Sequence, residues 1–432
     1  MTVVVAVVTE SAAGERRVAL DPVIARKLGA QGFHFRVQSG CGRAAGFADD
    51  AYGEASSIWP DFASTVDGAD IVLKVVEPTL AEAELLPPGS MLLSTLLPHA
   101  NPRMVEMLLE RRITALALEM MPRISRAQAM NTLSSQGTIA GYKAALLAAE
   151  LSPRLFPMVT TPAGTVRPSN VVVIGAGIAG LQAIATARRL GARVEAYDIR
   201  PSARDQIESL GASMIDIGIE VQGTSGHGRV LNDAEKEKQV EVLAECLTRA
   251  HAVICTAALP GRSAPRIITG EMVEAMPSGA VIVDIAARSG GNCEMTKAGE
   301  TVWHGNKRIV GAIDLASGAS THASELYSRN MFHLLNLLVD NGALLPDFDD
   351  EIVRSCLLTR AGEMLHTPTA KLLGLIADDA DDIAKSGKGS GLPSKAAKEP
   401  EDNTADWVDT DQTPDNTGAT GSASEDGAVE SQ

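Results

Sequence analysis

Residues 169–198 constrain the fold of this chain more than any other stretch. They run from Ser169 through the apolar series Asn-Val-Val-Val-Ile into Gly175-x-Gly177-x-x-Gly180, continue as an alanine-rich segment to Leu190 and Gly191, and end in a second apolar run, Arg193–Tyr197, closed by Asp198. The pattern predicts a strand, a tight turn, a helix and a second parallel strand. Gly175 permits the turn, Gly177 lets a pyrophosphate approach the backbone, and Gly180 lets helix and strand pack closely. The first helical residues, Ile178 and Ala179, then offer unpaired N–H groups and positive potential to phosphate. Asp198 follows Gly175 by 23 residues, where a carboxylate can accept hydrogen bonds from an adenosine ribose diol. The expectation is an NAD(H) site that disfavours a 2′-phosphate, tempered by the nearby Arg200.

Strands and helices alternate on both sides of this unit. Val3–Val8, Phe33–Val37, Ala69–Val76, Ser90–Leu97 and Ile113–Ala117 read as strands, with helices at Asp21–Gly32 (Asp21 capping, Pro22 in the first turn) and Pro102–Glu110. The stretch Ile124–Glu150 reads as one long helical bridge. Further strands are expected at His251–Thr256, Ala280–Ile285 and Arg308–Gly311, followed by helical pieces at Ala323–Asn336 and from Glu351. Such repetition implies an α/β protein with mostly parallel sheets. The expected plan is two Rossmann-like domains. A nucleotide-binding domain (133–310) is inserted into a first domain made of two segments (1–132 and 311–375), with an acidic tail (376–432) after them.

Charge sharpens that plan. The 432 residues carry a formal −16, but residues 376–432 hold 14 acidic side chains against four lysines, leaving only −6 for the rest. That tail is rich in Gly, Ser, Thr, Pro and Asp, lacks apolar periodicity, and is expected to be disordered. The acidic balance argues against a general nucleic-acid binder. The five cysteines form no CxxC, so neither a zinc ribbon nor a disulfide scaffold is expected. No apolar run approaches the roughly 20 residues of a bilayer span, so a cytoplasmic protein with peripheral membrane attachment at most is expected. The Gly-rich segment between Gly218 and Glu237 reads as a flap over the nucleotide, with His227 near its tip.

No Ser-His-Asp spacing or HExxH is present, and no metal site is expected. The densest polar cluster is Met121-Pro-Arg123-Ile-Ser-Arg-Ala-Gln128-Ala-Met-Asn131-Thr-Leu-Ser134-Ser-Gln136. Arg123, Gln128, Asn131 and Ser134 can hydrogen-bond a carboxamide, ribose or phosphate, yet none is an obvious proton-transfer group. That suits direct hydride transfer, in which the cofactor carries the chemistry. Lys74, in Val72-Leu-Lys-Val-Val-Glu-Pro, can anchor a carboxylate or snorkel to solvent.

The segment MPRISRAQAMNTLSSQGTIAGYKAA resembles the NAD(H)-binding component, domain I, of proton-translocating nicotinamide nucleotide transhydrogenases. ERRVAL, the fingerprint region and VIVDIAARSGGNCE point the same way, and the resemblance covers about residues 1–375. Alanine dehydrogenase is a relative with the same architecture. Its strand lysine matches Lys74, whereas Ser94-Thr-Leu-Leu-Pro-His99 does not reproduce its catalytic histidine cleanly. The resemblance implies a homodimer that binds NADH and docks on a partner subunit holding NADP(H). A membrane subunit (the second portion of a split alpha subunit) and a beta subunit would couple hydride transfer to proton movement. It also implies that Arg123, Gln128 and Ser134 line the nicotinamide site and that Asp198 holds the ribose. Three departures stand out: Asn131 where the family commonly has Asp, His227-Gly228 where its loop presents Tyr-Ala, and Ala312–Gly318 in place of a stretch like H-T-N-V-P-S-R. They leave a stand-alone alanine-dehydrogenase-like oxidoreductase and a non-catalytic NAD(H) sensor as alternatives.

Overall fold

The computed structural model describes residues 2–218, 232–258, 263–340 and 342–374. The acidic segment 376–432 and His227 lie outside the described residues, as does most of the expected flap.

Strands β1 (Val4–Val7), β2 (His34–Gln38), β3 (Ser56–Trp59), β4 (Ile71–Leu73), β5 (Met91–Ser94) and β6 (Thr114–Ala117) pair in parallel. A short exposed hairpin follows, β7 (Val159–Thr161) and β8 (Gly164–Val166). A second sheet then forms from β9 (Asn170–Ile174), β10 (Arg193–Tyr197), β11 (Ser213–Met214), β12 (Ala252–Cys255) and β13 (Val281–Asp284), with β14 (Thr301–His304) antiparallel to β15 (Lys307–Gly311) at its edge. The pair β16 (Val339–Asp340) and β17 (Ala343–Leu344) precedes β18 (Leu357–Arg360) and β19 (Glu363–Met364). These last two return to the first sheet, whose order is β19-β18-β6-β5-β4-β1-β2-β3; the second sheet runs β11-β10-β9-β12-β13-β15-β14. The architecture is mixed α/β built on largely parallel sheets.

Side-chain alternation explains why each sheet is covered on both faces. Along β1 and the residue after it, Val5 and Val7 enter one core while Ala6 and Val8 enter another; in β9, Val171 and Val173 separate in the same way from Val172 and Ile174. Central strands therefore have no polar face, and β5, β12 and β13 are buried throughout. Helix ends follow local chemistry. Asp21 accepts the Ile24 N–H ahead of the helix Pro22–Gly29, and Thr79 with Glu82 forms a reciprocal capping box on Leu80–Leu85.

Two expectations are corrected. The bridge over 124–150 is not one helix. A 3-10 stretch, Ser125–Met130, stops at Asn131, whose Oδ1 accepts the Ser134 N–H and starts a new helix, Thr132–Leu151. The strand expected over Ala69–Val76 ends at Leu73, because the N–H groups of Val75 and Val76 turn to the buried Glu10 carboxylate instead of a neighbouring strand. Strands β3, β18 and β19 and the helices Phe62–Val66 and Leu80–Leu85 escaped the sequence reading, being short and lacking a clear period.

A dinucleotide-shaped turn and its surroundings

The fingerprint glycines occupy the turn between β9 and the helix Ile178–Arg189. Gly175 has φ +93°, a conformation that L side chains resist. A Cβ on Gly180 would sit 1.9 Å from the Gly175 carbonyl oxygen, so any side chain there would dismantle the turn. Gly177 is different: a Cβ there would meet nothing within 4 Å. It caps the helix with no side-chain acceptor, so the first-turn N–H groups of Ile178, Ala179 and Gly180 have no partner within the helix. An open cradle, free donors and a helix N-terminus fit a dinucleotide pyrophosphate.

Asp198 ends β10 beside this turn. Its Oδ2 accepts the Ala176 N–H at 2.8 Å, and its Oδ1 accepts the Arg200 backbone N–H at 2.9 Å. The Arg200 guanidinium spans both oxygens at 2.9 Å and also donates to the Ala176 carbonyl. Burial pushes the Asp198 carboxyl up, but these donors outweigh it and hold it below the usual range. The carboxylate is thus ionised and aimed at the turn, with Arg200 as its counter-ion. Gly175, Gly177, Ile178, Ala179, Gly180, Asp198 and Arg200 form one group.

The crevice opens where β9 and β12 lie side by side, the point at which strand order reverses. Thr256, just after β12, donates to the Gly175 carbonyl at 2.9 Å. Asn292 fastens the next loop by accepting the Ala257 N–H and donating to the carbonyls of Ala257 and Pro265. The buried Asp284 carboxylate collects the N–H groups of Ala286, Asn292 and Cys293 and the Thr296 hydroxyl. Thr256, Asp284 and Asn292 shape the crevice, and the sequence reading assigned them no role. Their signal was positional only, at or after strand ends.

Arg123, Gln128, Asn131 and Ser134 form a separate group on the 3-10 stretch and the helix start. Arg123 and Gln128 are exposed, and their side chains make no hydrogen bond or ion pair among the described residues. Asn131 serves as the cap, and Ser134 offers its N–H to that cap. The two groups are joined by packing. Helix Thr132–Leu151 lies across the start of Ile178–Arg189, with Gly141 against Ala179.

A buried polar seam ties residues 15–17 to Gln136 and Ser317. Arg17 pairs with Glu15 at 2.6 Å and donates to Gln136 at 2.9 Å, while the Ser317 hydroxyl donates to Glu15. Burial pushes the Glu15 carboxyl up, but hydrogen bonds and charge from Arg17, with help from Ser317, bring it to about 2. The stability it contributes is complete above its ordinary value of 4.5 and is lost as pH falls through about 2. Glu15→Gln is therefore expected to cost about 3 kcal/mol at neutral pH and to flatten the acid limb of a urea-midpoint-against-pH curve. An unchanged acid limb would refute the assignment.

Lys74 does not snorkel to solvent. Its ammonium is fully buried, 3.3 Å from both Glu10 and Glu82. Two carboxylates already engage it inside the sheet.

Known proteins are similar to this chain. The family model described as "Alanine dehydrogenase/PNT, N-terminal domain" matches residues 6–140, and "Alanine dehydrogenase/PNT, C-terminal domain" matches 144–367. The chain belongs to the alanine dehydrogenase/PNT family. Within that family it is 40% identical over 374 residues to the first portion of the NAD(P) transhydrogenase alpha subunit of Rhodospirillum rubrum, covering 84% of this chain and 97% of the relative. It is 27% identical over 368 residues to the alanine dehydrogenase of Bacillus subtilis, covering 83% and 92%. A solved transhydrogenase from Sinorhizobium meliloti superposes with a TM-score of 0.73 at 36% identity, covering 84% of this chain and 99% of that one. The family placement agrees with the resemblance read from the sequence, with transhydrogenase nearer than alanine dehydrogenase. Among the described residues, no helix is long and apolar enough to cross a membrane.

Proposed function

We propose that this chain is the NAD(H)-binding component of a proton-translocating NAD(P)+ transhydrogenase. The observation that carries the reading is the 40% identity to the first portion of a transhydrogenase alpha subunit, across nearly the whole length of that relative. Gly177 and the N–H groups of Ile178–Gly180 hold the pyrophosphate, and Asp198 holds the adenosine ribose. Arg123, Gln128 and Ser134 orient the nicotinamide end, and Asn131 sets the helix that carries Ser134. The bound dinucleotide supplies a hydride that passes, with its electron pair, to NADP+ held by a partner subunit. The chain's task is then alignment and exclusion of water rather than proton transfer.

The wider assembly belongs to the same proposal. A membrane subunit and a beta subunit hold the chain peripherally at the membrane. Residues 1–132 and 311–375 act as one domain around 133–310, which the pairing of β18 with β6 supports. A homodimer is supported by the β7–β8 hairpin, which two strands alone stabilise poorly and which exposes Val166, with Met158 exposed just before it. Sedimentation equilibrium at the mass of one chain would remove the dimer. The engagement of Lys74 by Glu10 and Glu82 weighs against a small-acid dehydrogenase.

The deciding experiment mixes the protein with an NADP(H)-binding partner subunit and follows hydride transfer from NADH to NADP+. Transfer is expected, NADPH is expected to bind this chain more weakly than NADH, and Gln128→Ala should lower the transfer rate by about tenfold while changing NADH affinity less. No transfer with intact NADH binding would favour a sensor. Turnover of alanine with NAD alone would favour a dehydrogenase.

A further inference from the structure

We propose that Glu77 and Arg288 form a latch across the crevice between the two sheets, and that its opening sets how fast a dinucleotide enters and leaves. The inference rests on the nucleotide-site reading above and adds a gate to it. Glu77 lies just past the carboxyl end of β4, in the first sheet. Arg288 lies in the 3-10 turn Ala287–Ser289, just past the carboxyl end of β13, in the second. Its Nη1 is 3.4 and 3.3 Å from the two Glu77 oxygens, a contact between residues 211 apart in sequence.

Both mounts are fixed. Behind Glu77, the N–H groups of Val75 and Val76 are held by Glu10, and the Thr79–Glu82 capping box follows. Behind Arg288, the Asp284 carboxylate binds three backbone N–H groups of its loop and the Thr296 hydroxyl. Two long side chains reach between these mounts. Ligands of such sheets lie outside the carboxyl ends of the strands. A dinucleotide seated on the β9 turn with its adenosine toward β10 must extend its other half toward β12 and β13, the strand after which Arg288 lies.

The two sets of contacts differ in exposure. The inner seam is buried, with the side chains of Arg17 and Glu15 11% and 3% exposed, whereas Arg288 and Glu77 are 32% and 26% exposed. Water and salt reach the outer pair and weaken it, while the inner seam persists. That asymmetry makes the seam a hinge and the outer pair a weak, reversible closure.

Stopped-flow NADH fluorescence on the full chain tests this. Glu77→Gln and Arg288→Gln should each raise the association and dissociation rates together, by roughly fivefold, with affinity nearly unchanged. Salt should speed both rates in the wild type and neither in the variants. The exchange Glu77→Arg with Arg288→Glu should restore slow rates. Unchanged rates, an exchange no slower than the single variants, or an affinity loss without faster exchange would overturn the latch, the last pointing to direct ligand contact. A second readout needs no nucleotide. With spin labels on Glu84→Cys and Glu271→Cys, exposed positions beside each sheet, the wild type should give one narrow distance and Glu77→Gln a broad one. The native cysteines are buried and compete little for label. If NADH failed to bind the wild type, the nucleotide reading would fall and these distances would still decide the latch.

Discussion

Gly141→Ala should cripple nucleotide binding although residue 141 lies outside the fingerprint turn. A Cβ at this position would lie 2.0 Å from the Ala179 carbonyl oxygen, 2.8 Å from its carbonyl carbon and 3.0 Å from its Cα. All three are backbone atoms of the helix that opens the fingerprint turn, so no side chain can swing aside. The helix Thr132–Leu151 must retreat, and the turn built on Gly175, Gly177 and Gly180 loses its backing. Overpacking of this kind costs about 1–3 kcal/mol or more, against a gain of about 1 kcal/mol from replacing a helical glycine. A loss of at least roughly tenfold in NADH affinity is expected with the lowered stability, since a modest shift of the cradle misplaces its donors. Gly137→Ala is the control. One turn earlier, its Cβ would be 3.9 Å from Ala179, an ordinary contact, so it should be neutral or stabilising by up to about 1 kcal/mol. Isothermal titration and thermal melts on both variants decide the matter; equal behaviour of the two would end the packing argument.

Lys74→Met is expected to destabilise the fold by about 3–5 kcal/mol at neutral pH, because it strands Glu10 and Glu82 without their cation. The loss should shrink in acid. Burial already pushes the Glu10 carboxyl up, and the charge of Lys74 is the main influence restraining it. Without Lys74 it rises further. A carboxyl raised in the folded state favours folding below its ordinary value of 4.5 and costs stability as pH climbs through the folded value. Urea midpoints for the variant should therefore improve from pH 7 towards pH 5. A variant as stable as wild type at pH 7 would show that the triad is not what holds this end of the sheet.

The features legible in the sequence were those whose physics is local. A glycine that must adopt positive φ, one that must admit a helix and an acid at a strand end lie within one βαβ unit, so spacing reveals them. The same holds for Asp21 as a cap and for the apolar strands, whose alternation marks two faces. Asn131 shows the limit: a polar residue in a helical pattern reads equally as a site group or as a stop, and the cap geometry shows it acting as one. Lys74 shows it more sharply. Its flanking valines and Glu77 invite a ligand-facing reading, and nothing within the strand reveals that Glu10 and Glu82 enclose it.

The sequence by itself thus determined the α/β class, the dinucleotide turn and the family, because each is written in neighbouring residues or in long matching motifs. Only the tertiary structure decided which charges are already spent on one another. Arg200 is committed to Asp198, Lys74 to two glutamates, Arg17 to Glu15, and Arg288 to Glu77 across the crevice. An ion pair depends on distance and solvent exposure after the chain has folded, and neither is encoded in the spacing of the residues that form it.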